Sequence, residues 1–509
     1  MIAAASSFIA PSIDWFALSP LLVLLGGGVL LLVAAALTPR WPRHLYALST
    51  IAIGVATIVI TCVQWGRISN SGPKFLVGEA LSYDHFTTFG IITICVALIL
   101  ASMVTDDFLR REGMDGPEIY GLYMMAAIGG IVMVMSNDLI VLFLGLETLS
   151  ISLYVLAASN RKRVESQEAG IKYFVLGGFS SAFFLYGIAL IYGSTGSTNF
   201  NRILNAFDSV PVHRKDSLVL VGVALLLVGL GFKVAAVPFH FWTPDVYQGS
   251  PTPVTAFMAS VGKTAAFAAM LRVLVIALPN WKDDWRPVVW TIAVLTLVVG
   301  SVSAVVQTNV KRMLAYSSIS HAGFILIGVE AAGHARASAH RGMSSSMLYL
   351  LLYAVLVIGT FAVVAVVGRT GDAATDLGSF RGLARQKPIL ALALTVFLLA
   401  QAGVPLTSGF IAKFGVIQAA VDEHSYALAV IAMVSAVIAA YLYLRILINV
   451  WLAPDEAGDD SREPLRVPLF TGAAIALCVA FTLYIGFNPG WFIDLSNQVV
   501  DVAVPIAGA

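Results

Sequence analysis

The chain has 509 residues, of which 59% are hydrophobic and 12% charged; its net charge is +1 and its mean hydropathy +0.87. A soluble domain carries about 25% charged residues, so this composition points to a polytopic membrane protein. The near-neutral balance argues against electrostatic binding of nucleic acid. Cys62, Cys95 and Cys478 lie far apart in or beside apolar runs, so packing is expected of them rather than a disulfide or a metal cluster. The histidines show no ligand spacing. The start, MIAAASSFIAPSIDWFALSP, lacks a basic n-region, and no cleaved signal peptide is expected.

Hydropathy predicts about fourteen spans of roughly 20 residues, an all-α membrane fold. In chain order they are Ser19–Leu37, Leu45–Trp65, Tyr83–Thr105, Ile119–Met135, Asp138–Ala158, Ala169–Gly193 and Ser217–Val237, then Pro253–Leu278, Pro287–Gln307, Arg312–Glu330, Ser345–Val367, Ile389–Ala420, Ser425–Trp451 and Pro468–Phe487. The loops are short, so any chemistry lies within the membrane or in a partner. Loops after odd-numbered spans are the more basic, holding among others Arg110, Arg111, Arg163, Lys311, Arg369 and Arg381. By the positive-inside rule that side is cytoplasmic and both termini face outward.

The seventh and twelfth spans are interrupted. VAAVPFHFWTPDVYQGSPTP carries Pro238, Pro244, Pro251 and Pro253, and LLAQAGVPLTSGFIAKFG carries Gly403, Pro405 and Gly409. Proline removes a backbone donor and blocks the preceding turn, so both helices should unwind there. Two broken helices five spans apart suggest an inverted repeat with sites at the breaks. The expected organisation is an N-terminal three-helix segment (1–117), a first repeat of spans four to eight (118–278), a second of spans nine to thirteen (279–452), and a last helix with its tail (453–509).

Lys172, Lys233, Lys263 and Lys413 sit in long apolar stretches, and Glu147 sits likewise in LFLGLETLSISLYVL. A lysine or carboxylate at mid-membrane costs about 2.5–3.5 kcal/mol on insertion scales, so such residues mark ion or proton paths. Glu147 is either satisfied by nearby hydroxyls or paired with a buried lysine. Lys233 precedes the first break, Lys263 lies near mid-depth where snorkelling is hardest, and Lys413 follows the second break. Lys172 lies four residues after Glu168, so a local ion pair explains it as well as a relay does. His321, flanked by Ser317, Ser318 and Ser320, is either a packed histidine or a proton carrier. Asp138, Glu118 and Glu330 are expected to be interfacial, and Arg272 and Arg445 to snorkel. Buried lysine suits proton transfer, because burial brings its neutral form within reach. Sodium needs oxygen ligands, and one mid-membrane carboxylate is too few, so protons are favoured.

EAGIKYFVLGGFSSAFFLYGIALIYGSTGS, GFKVAAVPFHFWTPDVYQGSPTPVTAFMASVGKTAAFAA, NVKRMLAYSSISHAGF and GVPLTSGFIAKF together resemble the NuoN family of antiporter-like subunits of bacterial respiratory complex I, the proton-translocating NADH–quinone oxidoreductase. The likeness runs from about Ile119 to Trp451, and the three preceding helices fit the family's fourteen-helix form. The related NuoL has a lateral C-terminal helix, absent from this sequence, and NuoM has glutamate where Lys413 stands. The resemblance implies that Glu147 is the fifth-helix glutamate and Lys233 its seventh-helix partner. It makes Lys263 the central eighth-helix lysine, Lys413 the outlet residue and His321 part of the polar axis between them. It implies a translocase subunit of the bacterial inner membrane with no redox centre of its own. NADH, FMN, iron–sulfur clusters and quinone are then expected in partner subunits, with NuoM-like and NuoK-like neighbours. A cation/proton antiporter of the Mrp type and a mainly structural subunit are the rival readings.

Overall fold

The computed structural model describes residues 13–38, 42–114, 116–208, 217–334, 339–452 and 465–500. Arg40, Arg214, Lys215, Arg336 and Arg462, which enter the comparison of basic loops, lie outside them.

The chain is a bundle of helices. Its first half comprises α1 (Trp15–Leu37), α2 (His44–Ser71), a short antiparallel hairpin of β1 (Lys74–Leu76) and β2 (Leu81–Tyr83), α3 (His85–Glu112), α4 (Pro117–Met135), α5 (Leu139–Ala157), α6 (Val164–Thr195), α7 (Phe200–Asp208) and α8 (Ser217–Val234). Then come α9 (Trp242–Gly249), α10 (Thr252–Phe257), α11 (Lys263–Leu271), α12 (Lys282–Val305), α13 (Val310–Ala332) and α14 (Ala339–Val367). The chain closes with α15 (Leu383–Gln386), α16 (Pro388–Ala402), α17 (Ser408–Asp422), α18 (Tyr426–Trp451), α19 (Leu469–Phe487) and α20 (Gly490–Gln498). The hairpin and the short helices α7 and α20 fall where no element was predicted.

Among the described residues, 13 helical segments are long and apolar enough to cross a membrane. The predicted twelfth span is absent from that set because it is two 15-residue helices, α16 and α17, divided at Gly403–Thr407. The helix ends follow from local chemistry. Asp84 caps α3 by accepting from Thr87 N at 2.8 Å, and Asp138 caps α5 by accepting from Ile140 N at 2.8 Å. Gly113 ends α3 in the left-handed region that a Cβ disfavours.

Burial sorts the helices. The apolar stretch of α14 is wholly buried, and those of α13 and of the continuous helix Thr252–Ala277 are nearly so. These three form the centre. α1 and α2 lie at the periphery, where Leu30 and Val59 among others are exposed, as a helix facing lipid requires. The charged groups of the interior therefore do not face lipid.

Both breaks find such partners. After α8, Val237 N donates to Thr296 Oγ1 of α12 at 2.9 Å, and Trp242 Nε1 donates to Phe232 O at 3.0 Å. After α16, Gly403 adopts φ +93°, and Lys413 Nζ donates to the freed carbonyls of Gln401 and Ala402 at 2.8 and 3.0 Å. Freed backbone at membrane depth must be satisfied by protein or water, and here side chains do it.

Candidate functional site

Lys233 occupies the last turn of α8, just before the first break, and is 5% exposed. Its Nζ donates to Ser150 Oγ of α5 at 2.8 Å and to Tyr173 Oη of α6 at 3.2 Å. The rings of Tyr154 and Tyr173 face the ammonium at 5.6 and 5.2 Å, within cation–π range. Trp242, on the far side of the break, stacks on Tyr173 with ring centroids 4.5 Å apart. The break thus supplies one wall of the lysine's enclosure.

Glu147 is partly exposed and accepts a hydrogen bond from Ser181 Oγ of α6. It makes no ion pair with Lys233, so the direct pairing expected of these two residues is absent from this arrangement. Instead, Ser150 stands one turn along α5 from Glu147 and takes the ammonium itself. The physical reason is economy of desolvation: a hydroxyl can satisfy a buried amine without a second buried charge.

Lys263 opens α11 directly after a π-helical turn, Met258–Gly262, and is 2% exposed. Single π turns inside α-helices recur at functional positions because they displace one side chain from the regular register. Lys263 Nζ donates to the main-chain oxygen of Ser318 in α13, and the Tyr353 ring of α14 lies 5.6 Å from it. Tyr353 Oη in turn donates to Ser318 Oγ at 2.8 Å.

His321 lies one turn further along α13 and is buried. Its Nδ1 is 2.6 Å from Tyr349 Oη and its Nε2 is 3.3 Å from Tyr443 Oη of α18. Tyr443 Oη is 2.6 Å from Ser317 Oγ, which bonds Gln401 Oε1 at 3.3 Å. Gln401 carries Lys413 on its main-chain oxygen, so hydroxyls, an amide and an imidazole connect α13 to the second break. Phe324 lies 4.7 Å below the Lys413 ammonium. His321 and Lys413 are therefore joined along one polar seam of α13, with Lys263 on the Ser318 carbonyl one turn away. Lys233 is not joined to it by any hydrogen bond among the described residues.

Lys172 belongs elsewhere. It is 41% exposed and pairs with Glu168 at 2.7 Å and with Asp245 of α9 at 2.8 Å; Asp245 also takes Arg312 at 2.6 Å. The local ion pair is the explanation this geometry favours for its place in an apolar run.

Residues 136–439 match the family described as NADH:quinone oxidoreductase/Mrp antiporter, TM. A relative from Mycobacterium bovis named NADH-quinone oxidoreductase subunit N is 40% identical, over 97% of this chain and 99% of its own length. The chain belongs to the NADH:quinone oxidoreductase/Mrp antiporter membrane family. A chain of respiratory complex I from Thermus thermophilus superposes with TM-score 0.78 at 31% identity, covering 94% of this chain and 99% of that one. A chain of the Mrp complex from Dietzia shares the fold at TM-score 0.82 and 21% identity, covering 96% and 97%.

Several groups of this family member lay beyond the sequence reading. Arg272, expected to snorkel, is 1% exposed: its Nη2 bonds Asp84 at 2.9 and 3.0 Å and its Nε bonds Val134 O at 2.5 Å. Asp84 is a buried carboxylate whose place at the start of a span reads as interfacial from composition alone. Glu330, expected at the interface, is 2% exposed and accepts from Arg286 at 3.0 Å and Ser425 at 3.1 Å. Arg445 is partly buried and donates to the carbonyls of Val305 and Gln307 at the end of α12. Lys311, counted as a loop cation, has no exposed side-chain surface and pairs with Asp372 at 3.2 Å. The only signal for these pairs was a charge near a span end, which solvated charges share. The tyrosines around Lys263 and His321 carried a fainter one, as polar tips within apolar helices.

Proposed function

We propose that this chain carries protons across the bacterial inner membrane as an antiporter-like subunit of an NADH–quinone oxidoreductase, driven by quinone reduction in partner subunits. The observation that carries the reading is the polar seam of α13: buried His321 is linked to the buried Lys413 through Tyr443, Ser317 and Gln401, and the buried Lys263 sits on the Ser318 carbonyl one turn away. A proton needs donors and acceptors within hydrogen-bond reach, and hydroxyls and imidazole act as both. The 40% identity to relatives named subunit N supports the same assembly. NADH, FMN, iron–sulfur clusters and quinone belong in this reading to the partners, and NuoM-like and NuoK-like chains are the neighbours. Among the described residues no group could hold a metal ion.

In the proposed mechanism, Glu147 and Lys233 form the input. A charge arriving from a neighbouring subunit at Glu147 alters the field at Lys233, one helical turn away through Ser150. The changed protonation of Lys233 is transmitted to Lys263, whose proton passes along Ser318, the tyrosines and His321 to Lys413. Water must complete the steps from Lys233 to Lys263 and from Lys263 to His321, which no direct bond spans. Lys172 contributes at the rim through Asp245. Residues 118–278 and 279–452 act as inverted copies, each with a lysine beside a broken helix, after a three-helix leader (1–117) and before a final helix with tail (453–509). Both termini face outward.

The test is proton translocation per NADH oxidised by the intact complex in sealed vesicles. Lys263→Met is expected to lower pumping by roughly 100-fold or more in this subunit's share. Unchanged pumping with Lys233→Ala or Glu147→Ala in fully assembled complex would remove the proposed roles. Sodium-dependent exchange by the chain without redox partners would favour the Mrp-type rival instead.

A further inference from the structure

A second polar feature lies away from the lysines, at the end of the bundle where the basic loops gather. A cavity of about 480 Å³ opens between the end of α3, the end of α14 and the start of α19. Arg111, Arg369 and Arg466 line it, together with apolar surface from Val104, Phe108 and Val366.

Two of these three arginines have no partner among the described residues. Asp107 also faces the cavity, but its oxygens are engaged: Oδ2 accepts from Thr471 N and Oγ1 at 2.9 and 2.8 Å, and Oδ1 accepts from Arg110 at 2.8 Å. Arg369 and Arg466 make no side-chain hydrogen bond or ion pair with described residues. Arg111 Nη1 donates to Ala365 O at 2.6 Å, yet its Nε and Nη2 are buried without a hydrogen bond. The carboxylates nearest to them, Glu112 at 3.5 Å and Asp372 at 3.8 Å, lie beyond good hydrogen-bond distance. Glu112 also accepts from Gly371 N at 2.7 Å, and Asp372 gives Oδ2 to Thr252 and Lys311 while its Oδ1, buried without a hydrogen bond, faces Arg111 as an ion-pair partner. Arg111 is thus held only by long ion pairs, Arg369 and Arg466 have no partner among the described residues, and a tetrahedral oxyanion is an acceptor that matches the guanidinium fork.

We propose that this cavity is a binding site for an anionic phospholipid, with the phosphate on Arg111, Arg369 and Arg466 and acyl chains along Val104, Phe108 and Val366. Lipid is preferred to a free anion because the cavity pairs its cationic end with an apolar wall, at the end of membrane-spanning helices. The lipid ties α3, α14 and α19 together at a point where side chains alone leave space.

Native mass spectrometry of the delipidated full-length chain in detergent tests this. The probes are phosphatidylglycerol, phosphatidylcholine of the same acyl chains, and inorganic phosphate. Phosphatidylglycerol should be retained roughly tenfold more tightly than phosphatidylcholine, and Arg369→Gln with Arg466→Gln should lower its affinity about thirtyfold, near fivefold per arginine. The two substituted residues hold no bond in the fold, so the variant's unfolding temperature in phosphatidylcholine should match the parent's. Equal retention of the two lipids, or an unchanged affinity in the variant, overturns the proposal. Competition by inorganic phosphate at the same concentration as lipid would make it a free-anion site and overturn it too. So would phosphatidylglycerol uptake that appears only after Asp455, Glu456, Asp459 and Asp460 are neutralised, since the chain's own acidic linker would then be the occupant.

Discussion

Lys413 Nζ lies 2.8 Å from the main-chain oxygen of Gln401, on the last turn of α16. The lysine is thus both the cap of a broken helix and the end of the α13 seam. A helix C-terminus presents unpaired carbonyls and a partial negative charge, which a cation satisfies. Lys413→Glu should therefore lose the cap and set a carboxylate against carbonyls, costing about 1–3 kcal/mol. Lys413→Arg should keep most of the stability. Thermal unfolding in detergent separates the two, and equal midpoints would remove the capping role.

The enclosure of Lys233 makes a different prediction. Ser150→Ala with Tyr173→Phe takes away both hydrogen-bond acceptors of its ammonium while leaving the lysine in place. Pumping should fall roughly tenfold or more, since a buried charge without partners loses at least about 1.4 kcal/mol of its stabilisation. Quinone reduction measured in uncoupled vesicles should change far less.

Tyr443→Phe severs the connection from His321 Nε2 to Ser317 but leaves Tyr349 on Nδ1. The ring volume is preserved, so the fold should hold. Proton transfer should slow by about tenfold, one hydrogen-bonded step being lost. A wild-type pumping rate would show that the seam is crossed by another route.

Arg272 and Asp84 form a fully buried pair between the α11 span and the start of α3. Arg272→Met leaves an uncompensated carboxylate and should destabilise by about 3–5 kcal/mol. Adding Asp84→Asn should recover much of that loss. If the double variant unfolds as easily as the single one, the pair is not the source of the effect.

At the opposite extreme of exposure, Lys74 bonds Asp14 at 2.7 Å and holds its carboxyl below the usual carboxylate range, helped by Ala17 N. A depressed folded-state value means that the contribution is present above the unfolded value of about 3.9 and fades as pH falls through the lower folded one. Asp14→Asn should flatten the acid side of the stability profile below about pH 4. An unchanged profile would mean that the pair is too solvated to matter.

The sequence made the spans legible because apolar length is a strong signal, and proline and glycine marked both breaks. Lys233, Lys263, Lys413 and His321 were legible for the same reason, as charge or imidazole in apolar surroundings. What escaped was pairing. Glu147 and Lys233 were matched by charge sign, but distance is set by how α5 faces α8, and Ser150 took the place a carboxylate was expected to fill. Arg272 and Glu330 escaped because a residue near a span end reads as interfacial unless the neighbouring helix is known to cover it. Asp84 and Asp372 sit at turns whose depth only the packing defines.

Gly486 of α19 leaves room for the carbonyl of Leu406, where a Cβ would collide, and Leu406 itself is held at φ +64° inside the second break. α19 lies outside residues 136–439, the part of the chain that the family match covers. The elbow that aims Lys413 is thus braced by a helix from beyond that shared region. Enlarging Gly486 would disturb this elbow without altering a single ionisable group, and the C-terminal span is better regarded as a strut of the second break than as a membrane anchor.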